Sequence, residues 1–304
     1  MNLDEATDKF LSHCESVRKL SHHTVRAYRL DLNRFASFAG TDQPVHTLEK
    51  THVQDYVKFL FDVRGLGEAS AHRHIATLRS FFGWATEQTN GAGNCVTDAK
   101  IRIRIPTRLP RLIPRGVIRT LLSESAVLLG RSHAEITASV AAELLFATGM
   151  RVSELATLKD ENVDIDEGIL RIMGKGSRER RVFVPEDLKD ILRWYRGARC
   201  SSSPPADTFL VNSRGESASS QFIRRLIREL GEHVGATKRI TPHMFRHSIA
   251  TYLIEEGVDI RYVQRLLGHR NISTTEIYAH VADASLQMRI NECHPRRSIL
   301  QPNG

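Results

Sequence analysis

Cysteine is scarce and scattered in these 304 residues: Cys14, Cys95, Cys200 and Cys293 lie far apart, and none forms a C-x-x-C pair. That spacing excludes a zinc ribbon and a thioredoxin-like redox motif, and points to reduced, mostly buried thiols of a cytosolic protein. Long apolar runs are missing too. No stretch approaches the ~20 apolar residues of a membrane span. The first ten residues carry Asp4, Glu5 and Asp8 and no apolar h-region, unlike a signal peptide. The expected location is the cytoplasm, away from membranes. There is no internal repeat or low-complexity tract. His243 and His247 stand four apart, but no glutamate follows His243 as an H-E-x-x-H zinc site requires, so no metal and no cofactor is expected.

What the chain has is positive charge. Its formal net charge is +8 and its pI about 9.5, with 41% hydrophobic and 26% charged residues. The hydrophobic share suits a soluble globular protein with a real core, and the length suits two domains. The basic excess fits a polyanionic partner, nucleic acid before acidic membrane surface.

The N-terminal third reads as helices. Ser21 precedes Val25, Tyr28, Leu32, Phe35 and Phe38 at helical spacing, with Gly40 as the stop. A second helix starts at Thr51 and breaks at Gly65 and Gly67; a third is expected to be capped by Ser70. Their polar faces carry Arg26, Arg29, Arg34, His72, Arg73, His74 and Arg79, which predicts a small bundle with a basic side. From Lys100 to Arg119 the chain holds seven basic residues and no acidic one, Arg102, Arg104 and Arg108 among them, interrupted by Pro106, Pro110 and Pro114. Proline at this density predicts an extended segment, and charge of one sign predicts phosphate contact. The organisation expected is 1–99 helical, 100–113 basic linker and 114–304 a second domain with a C-terminal tail. In that domain, helical patterns at Ala138–Thr148, Val152–Leu158, Ser220–Val234, Pro242–Glu256, Ile260–Leu267 and Thr274–Val281 surround one hairpin between Gly168 and Pro185. The fold class is mainly α with a small β-sheet.

Four separated clusters carry chemistry. Thr148-Gly149-Met150-Arg151 places an arginine at the start of a helix. Gly174-Lys175-Gly176 lifts a lysine onto a hairpin tip. His243 and Arg246 sit three apart on one helix face, with Thr241 as the expected cap and Pro242 in the first turn. Gly268-His269 ends a helix, and nine residues on comes Tyr278. Attack on a phosphodiester loads negative charge onto the non-bridging oxygens, and the planar, always charged fork of arginine is the fitting counter-group. Arg151 and Arg246 can clamp such a phosphate. A tyrosine nucleophile needs help with its proton, which His243 or His269 could give. A lysine such as Lys175 can protonate the leaving oxygen.

In this order and spacing the clusters resemble the tyrosine recombinases of the phage integrase family, closest to the Xer-type branch. The motifs TGMRVSEL, GKGSRER, HMFRHSIAT and LLGHRNISTTEIYAHV carry the likeness, and LSHHTVRAYRLDLNRF and GLGEASAHRHIATLRSFFGWA are similar to the family's N-terminal core-binding domain. Nearly the whole chain is covered, with no room expected for an extra arm-binding domain. The resemblance implies Arg151 and Arg246 as phosphate arginines, Lys175 as general acid, His243 and His269 as the two histidines and Tyr278 as nucleophile, with no departure at any of the six. It implies a two-domain clamp on double-stranded DNA and a 3′-phosphotyrosine intermediate needing neither ATP nor metal. It also implies tetramers on two DNA sites, alone or with a related recombinase, with the segment after Tyr278 packed onto a neighbouring protomer; docking on its own core is the alternative. A type IB topoisomerase and a non-catalytic DNA-binding regulator are the rival readings, against which stand the N-terminal domain and the intact catalytic positions.

Overall fold

The computed structural model describes residues 1–88, 94–104, 111–123, 132–173, 179–199, 206–268, 287 and 290–300. The chain is mostly helical and divides into two compact units, Met1–Arg108 and Leu109–Gly304.

In the first unit, α1 (Leu3–Ser16) was not foreseen from the sequence. Asn2 caps it by accepting the Glu5 N–H at 2.8 Å, and Leu3, Ala6, Phe10, Leu11 and Cys14 form its buried stripe. Helix α2 (His22–Ala39) starts at Ser21 and stops at Gly40, as expected. Helix α3 (Lys50–Lys58) runs into a π-helical turn, Phe59–Val63. Helix α4 (Glu68–Gln88) begins two residues before the serine expected to cap it, so Ser70 lies inside the first turn and its N–H goes to the Gly67 carbonyl. Helix α5 spans Cys95–Asp98. An aromatic cluster fills the centre, with Phe10 edge-on to Phe81 at 5.5 Å and Phe35 edge-on to Tyr56 at 5.0 Å.

One expectation for this unit needs correction. His74 is not on the basic face. It is fully buried between the Tyr56 hydroxyl and Arg34, each at 3.1 Å, and burial pushes its pKa down. The stretch 101–104 is extended, as expected, and lies on this unit. Ile101 and Ile103 pack on this unit's core while Arg102 and Arg104 point outward, the alternation of an extended strand laid on an apolar surface.

The second unit opens with α6 (Arg115–Ser123) directly after Pro114, so the extended segment ends there. Arg115 and Arg119 are therefore helical. Arg115 pairs with Glu255 and Glu256 at 2.9 Å each and lies over the Tyr252 ring, and Arg119 donates to the Ile299 carbonyl. Helix α7 (His133–Thr148) starts five residues earlier than its apolar pattern indicates, at a capping box of Ser132 and Glu135. From Thr137 to Thr148 it is buried on every side, packed between α10 (Ser220–His233) and α11 (Pro242–Glu255). Helix α8 is short (Val152–Ala156). The sheet is an antiparallel β1-β2-β3 meander of Val163–Asp164, Ile169–Met173 and Glu179–Phe183, with Leu170 opposite Val182 and Met173 opposite Glu179. Helices α9 (Lys189–Ala198), α12 (Ile260–Leu267) and α13 (Pro295–Leu300) complete the unit. The helix expected at Thr274–Val281 lies outside the described residues. No described helix is long and apolar enough to cross a membrane.

The end of the chain docks on its own unit. Ile290, His294, Arg296 and Ile299 are buried, and His294 contacts the Ala147 carbonyl at 3.0 Å. Arg296 holds both carboxylate oxygens of the buried Glu143, at 2.7 and 3.0 Å, and reaches Asp187 as well.

Candidate active site

The joint between α7 and α8 sets the position of Arg151. The Thr148 hydroxyl donates to the Leu144 carbonyl at 2.6 Å and accepts the Met150 N–H at 3.3 Å, closing the helix end. Gly149 then turns the chain at φ +61, where a Cβ would fall 2.6 Å from Leu267 and 3.1 Å from Ile249. Only glycine fits both the left-handed backbone and the close approach of α11 and α12. Two residues on, Arg151 is the N-cap of α8, and the Glu154 carboxylate folds back to accept its N–H at 2.7 Å and its Nη1 at 3.0 Å.

Glu154 has a second claimant. Arg180 on β3 donates Nη1 and Nη2 to its two oxygens at 2.8 and 2.9 Å, a bidentate fork on a side chain only 7% exposed. Burial alone pushes the Glu154 carboxyl up, but the bonds from Arg180 and Arg151 outweigh it and hold the pKa at about 2.

Helix α11 supplies the other half. Pro242 occupies its first turn, and Thr241 stands at the N-cap but makes no side-chain bond to the turn, contrary to the cap expected there. Arg246 is buried, and donates Nη1 to the Gly149 carbonyl and Nη2 to the Leu267 carbonyl, both at 2.6 Å. Desolvation first, then repulsion from Arg151, pushes its pKa down to about 10. It remains a cation at neutral pH, but one kept at a cost. One turn earlier, His243 reaches solvent; partial desolvation, then the fields of His247, Arg246, Arg224 and Arg151, pull its pKa below the usual histidine value. The neutral ring dominates at pH 7, which leaves a nitrogen free to accept a proton.

Of the six residues expected at the site, Arg151, His243 and Arg246 are thus brought into one electrostatic neighbourhood. Lys175, His269 and Tyr278 lie outside the described residues; what is described are their flanks, the Met173–Glu179 pair at the end of the hairpin ladder and Gly268, left-handed, at the end of α12. The sequence reading missed Glu154, Arg180 and Arg224. The first had a signal in the i, i+3 spacing of R-V-S-E. Arg180 had a fainter one, since strand alternation puts it on the face of Val182, which is buried. The cluster of three guanidinium groups around one fully bonded carboxylate has charge to spare for an anion.

In the first unit, Arg26 is exposed, Arg73 is half exposed and donates to the buried Asp31 at 2.7 Å, and Arg79 donates to the Ile101 carbonyl at 2.6 Å. Arg102 and Arg104 are exposed, and Arg108 lies outside the described residues.

Residues 114–285 match the phage integrase family, and residues 7–89 match the phage integrase N-terminal SAM-like domain. The tyrosine recombinase XerD of Staphylococcus saprophyticus is 32% identical over 302 residues, covering 97% of this chain and 100% of the relative. Among solved structures, the Tn1549 transposon integrase in complex with a circular intermediate DNA matches with a TM-score of 0.73 at 14% identity, over 94% of this chain and 99% of that one. A lambda integrase tetramer bound to a Holliday junction matches with a TM-score of 0.70 at 19% identity, over 90% and 76%. At those identities the structures speak to the shared fold.

Proposed function

We propose, for a chain that belongs to the phage integrase family and is a tyrosine-type site-specific recombinase of the Xer-like branch, a reaction in which Tyr278 attacks the DNA backbone between clamping arginines. The phenol oxygen forms a bond to phosphorus as the bond to the 5′-oxygen breaks. Neutral His243 takes the phenol proton, Lys175 gives one to the leaving 5′-oxygen, and Arg151, Arg246 and His269 bear the charge that gathers on the non-bridging oxygens. The product is a 3′-phosphotyrosine. Attack by a 5′-hydroxyl from a partner duplex reverses the step, and because the ester energy is kept, joining requires no ATP. The observation that carries this reading is Arg246: a buried cation with carbonyl partners, raised in energy by its cationic neighbours, is stabilised by an arriving phosphate.

The partner in this reading is double-stranded DNA at specific sites. The exposed Arg26, Arg102 and Arg104, with Arg73, Arg79 and Arg108, grip its phosphates, and four protomers on two sites carry out exchange, alone or with a related recombinase. The work is cytoplasmic. The relative's name and the lambda integrase tetramer on its junction support this part.

The test uses a duplex recovered by the wild-type protein from a randomised pool, nicked so that cleavage releases a short strand and traps the intermediate. A denaturing gel should show a covalent protein–DNA adduct for the wild type and none for Tyr278→Phe, with gel-shift binding retained. An adduct from the Phe variant removes Tyr278 as nucleophile.

A further inference from the structure

Arg180 is the guanidinium of the cluster whose whole forked end is spent on a carboxylate, where Arg246 gives its fork to two carbonyls. Both terminal nitrogens go to Glu154, and its buried Nε meets no acceptor among the described residues. Its side chain is 17% exposed. It is therefore badly placed to add a contact to a substrate. Its stem, however, lies against a third element. A Cβ on Gly268 would meet the Arg180 Cδ at 3.1 Å and its Nε at 3.2 Å, so the left-handed glycine that ends α12 is seated on the Arg180 side chain. One residue thus touches three parts of the site: the strand that leaves the Lys175 hairpin, the carboxylate that orients Arg151, and the turn that leads into His269.

The stability of such a pair is a poor reason for it. Burying an arginine and a carboxylate costs desolvation on both, and apolar replacements of similar volume are often as stable. What the pair does supply is position. Glu154 accepts four bonds, two from Arg151 and two from Arg180, and without the second pair the carboxylate is free to rotate and to draw Arg151 fully onto itself. We infer that Arg180 is a positioning residue for cleavage, holding Glu154 so that Arg151 keeps its fork turned to the phosphate. The inference rests on the recombinase reading above and adds to it a residue that touches no substrate.

The mechanism separates from one that runs through the hairpin lysine. If Arg180 acts on Arg151, its loss harms the transition state whatever the leaving group is. A 5′-bridging phosphorothiolate, whose thiolate departs without a proton, then restores nothing. The experiment measures single-turnover cleavage by the full chain on the nicked, selected duplex described above, with ordinary and phosphorothiolate linkages, alongside gel-shift affinity and melting temperature. Arg180→Ala and Arg180→Lys should both be slower, by about 10²-fold for Ala, since misplacement on the scale of an ångström costs about that much. The factor should be equal on the two linkages, with binding close to wild type in protein shown to be folded at the assay temperature, since removing one partner of a buried pair lowers the melting temperature. The double variant Arg180→Ala/Glu154→Ala should be no slower than Glu154→Ala, because both act through one path. Wild-type rates in a folded Arg180→Ala, rescue by phosphorothiolate, or rate losses that only follow a fall in melting temperature and affinity would each overturn the inference. Absence of an adduct with the wild type on both linkages would instead remove the recombinase chemistry, and the positioning role with it.

Discussion

Two buried arginines of the second unit make an instructive pair. Arg296 and Arg246 are 5% and 7% exposed. Arg296 is held by Glu143 and Asp187, and although burial pulls its pKa down, those carboxylates raise it overall. Arg246 has carbonyl partners, stands near other cations and has its pKa pushed down; among the described residues no carboxylate is paired with it. Residue type and depth are the same, so function is written in the surroundings. A neutralised cation is a fastening. A cation left short of negative charge is a site waiting for it.

The largest effects should come from exchanging these surroundings. Arg246→Lys keeps the charge but loses the fork, and should slow cleavage by roughly 10²–10³-fold, the range for removing a preorganised charge donor, with little change in melting temperature. Arg296→Ala should do the reverse. It strands the Glu143 carboxylate in the core and should destabilise the fold by about 3–5 kcal/mol, read by denaturant titration, while the fraction still folded cleaves normally. If both variants fail in the same way, the distinction is wrong.

Lys175 sharpens the contrast from the side of the leaving group. If Lys175 is the general acid proposed above, Lys175→Ala should be slow on ordinary DNA and largely rescued by the bridging phosphorothiolate. Equal losses on both substrates would reduce it to a further electrostatic donor.

A smaller effect concerns acid. The Glu154 carboxyl is held at about 2 against an ordinary 4.5. A depressed carboxylate stabilises the fold fully above its unfolded value and loses that contribution as pH falls through the folded one, so the loss belongs between about 4.5 and 2. Glu154→Gln should therefore be less stable than wild type at neutral pH, and the gap should narrow below pH 4.5. A gap independent of pH would mean that shape, not charge, holds the pair.

The smallest effect is on salt. Arg102→Ala with Arg104→Ala should weaken binding to all sequences alike and flatten the salt dependence by roughly two phosphate contacts. An unchanged slope would leave these exposed arginines as solvated charge.

Periodicity made most of the helices and the hairpin legible, because the side chains that bury an element recur every few residues. Arg151, His243 and Arg246 were legible for a different reason: their motifs are contiguous. What stayed hidden depends on partners far along the chain. The Arg296–Glu143 pair joins positions 153 apart, and the Arg180–Glu154 fork joins positions 26 apart. His74 read as surface because its neighbours Arg73 and His72 are polar, yet it points at Tyr56. Arg115 read as a phosphate contact because Glu255 and Glu256 lie 140 and 141 residues away. Local pattern carries the elements; the charges are assigned only when the fold brings their partners in.

The docked tail bears on how far Tyr278 can travel. Leu267 is pinned by Arg246, and Ile290 is buried just ahead of the Arg296 fastening. Tyr278 stands eleven residues after the first and twelve before the second. Whatever path the intervening chain takes, a fully stretched backbone covers at most ~3.5 Å per residue, which bounds the hydroxyl to roughly 40 Å from either anchor. While both anchors hold, that leash sets the outer limit of the reach of Tyr278.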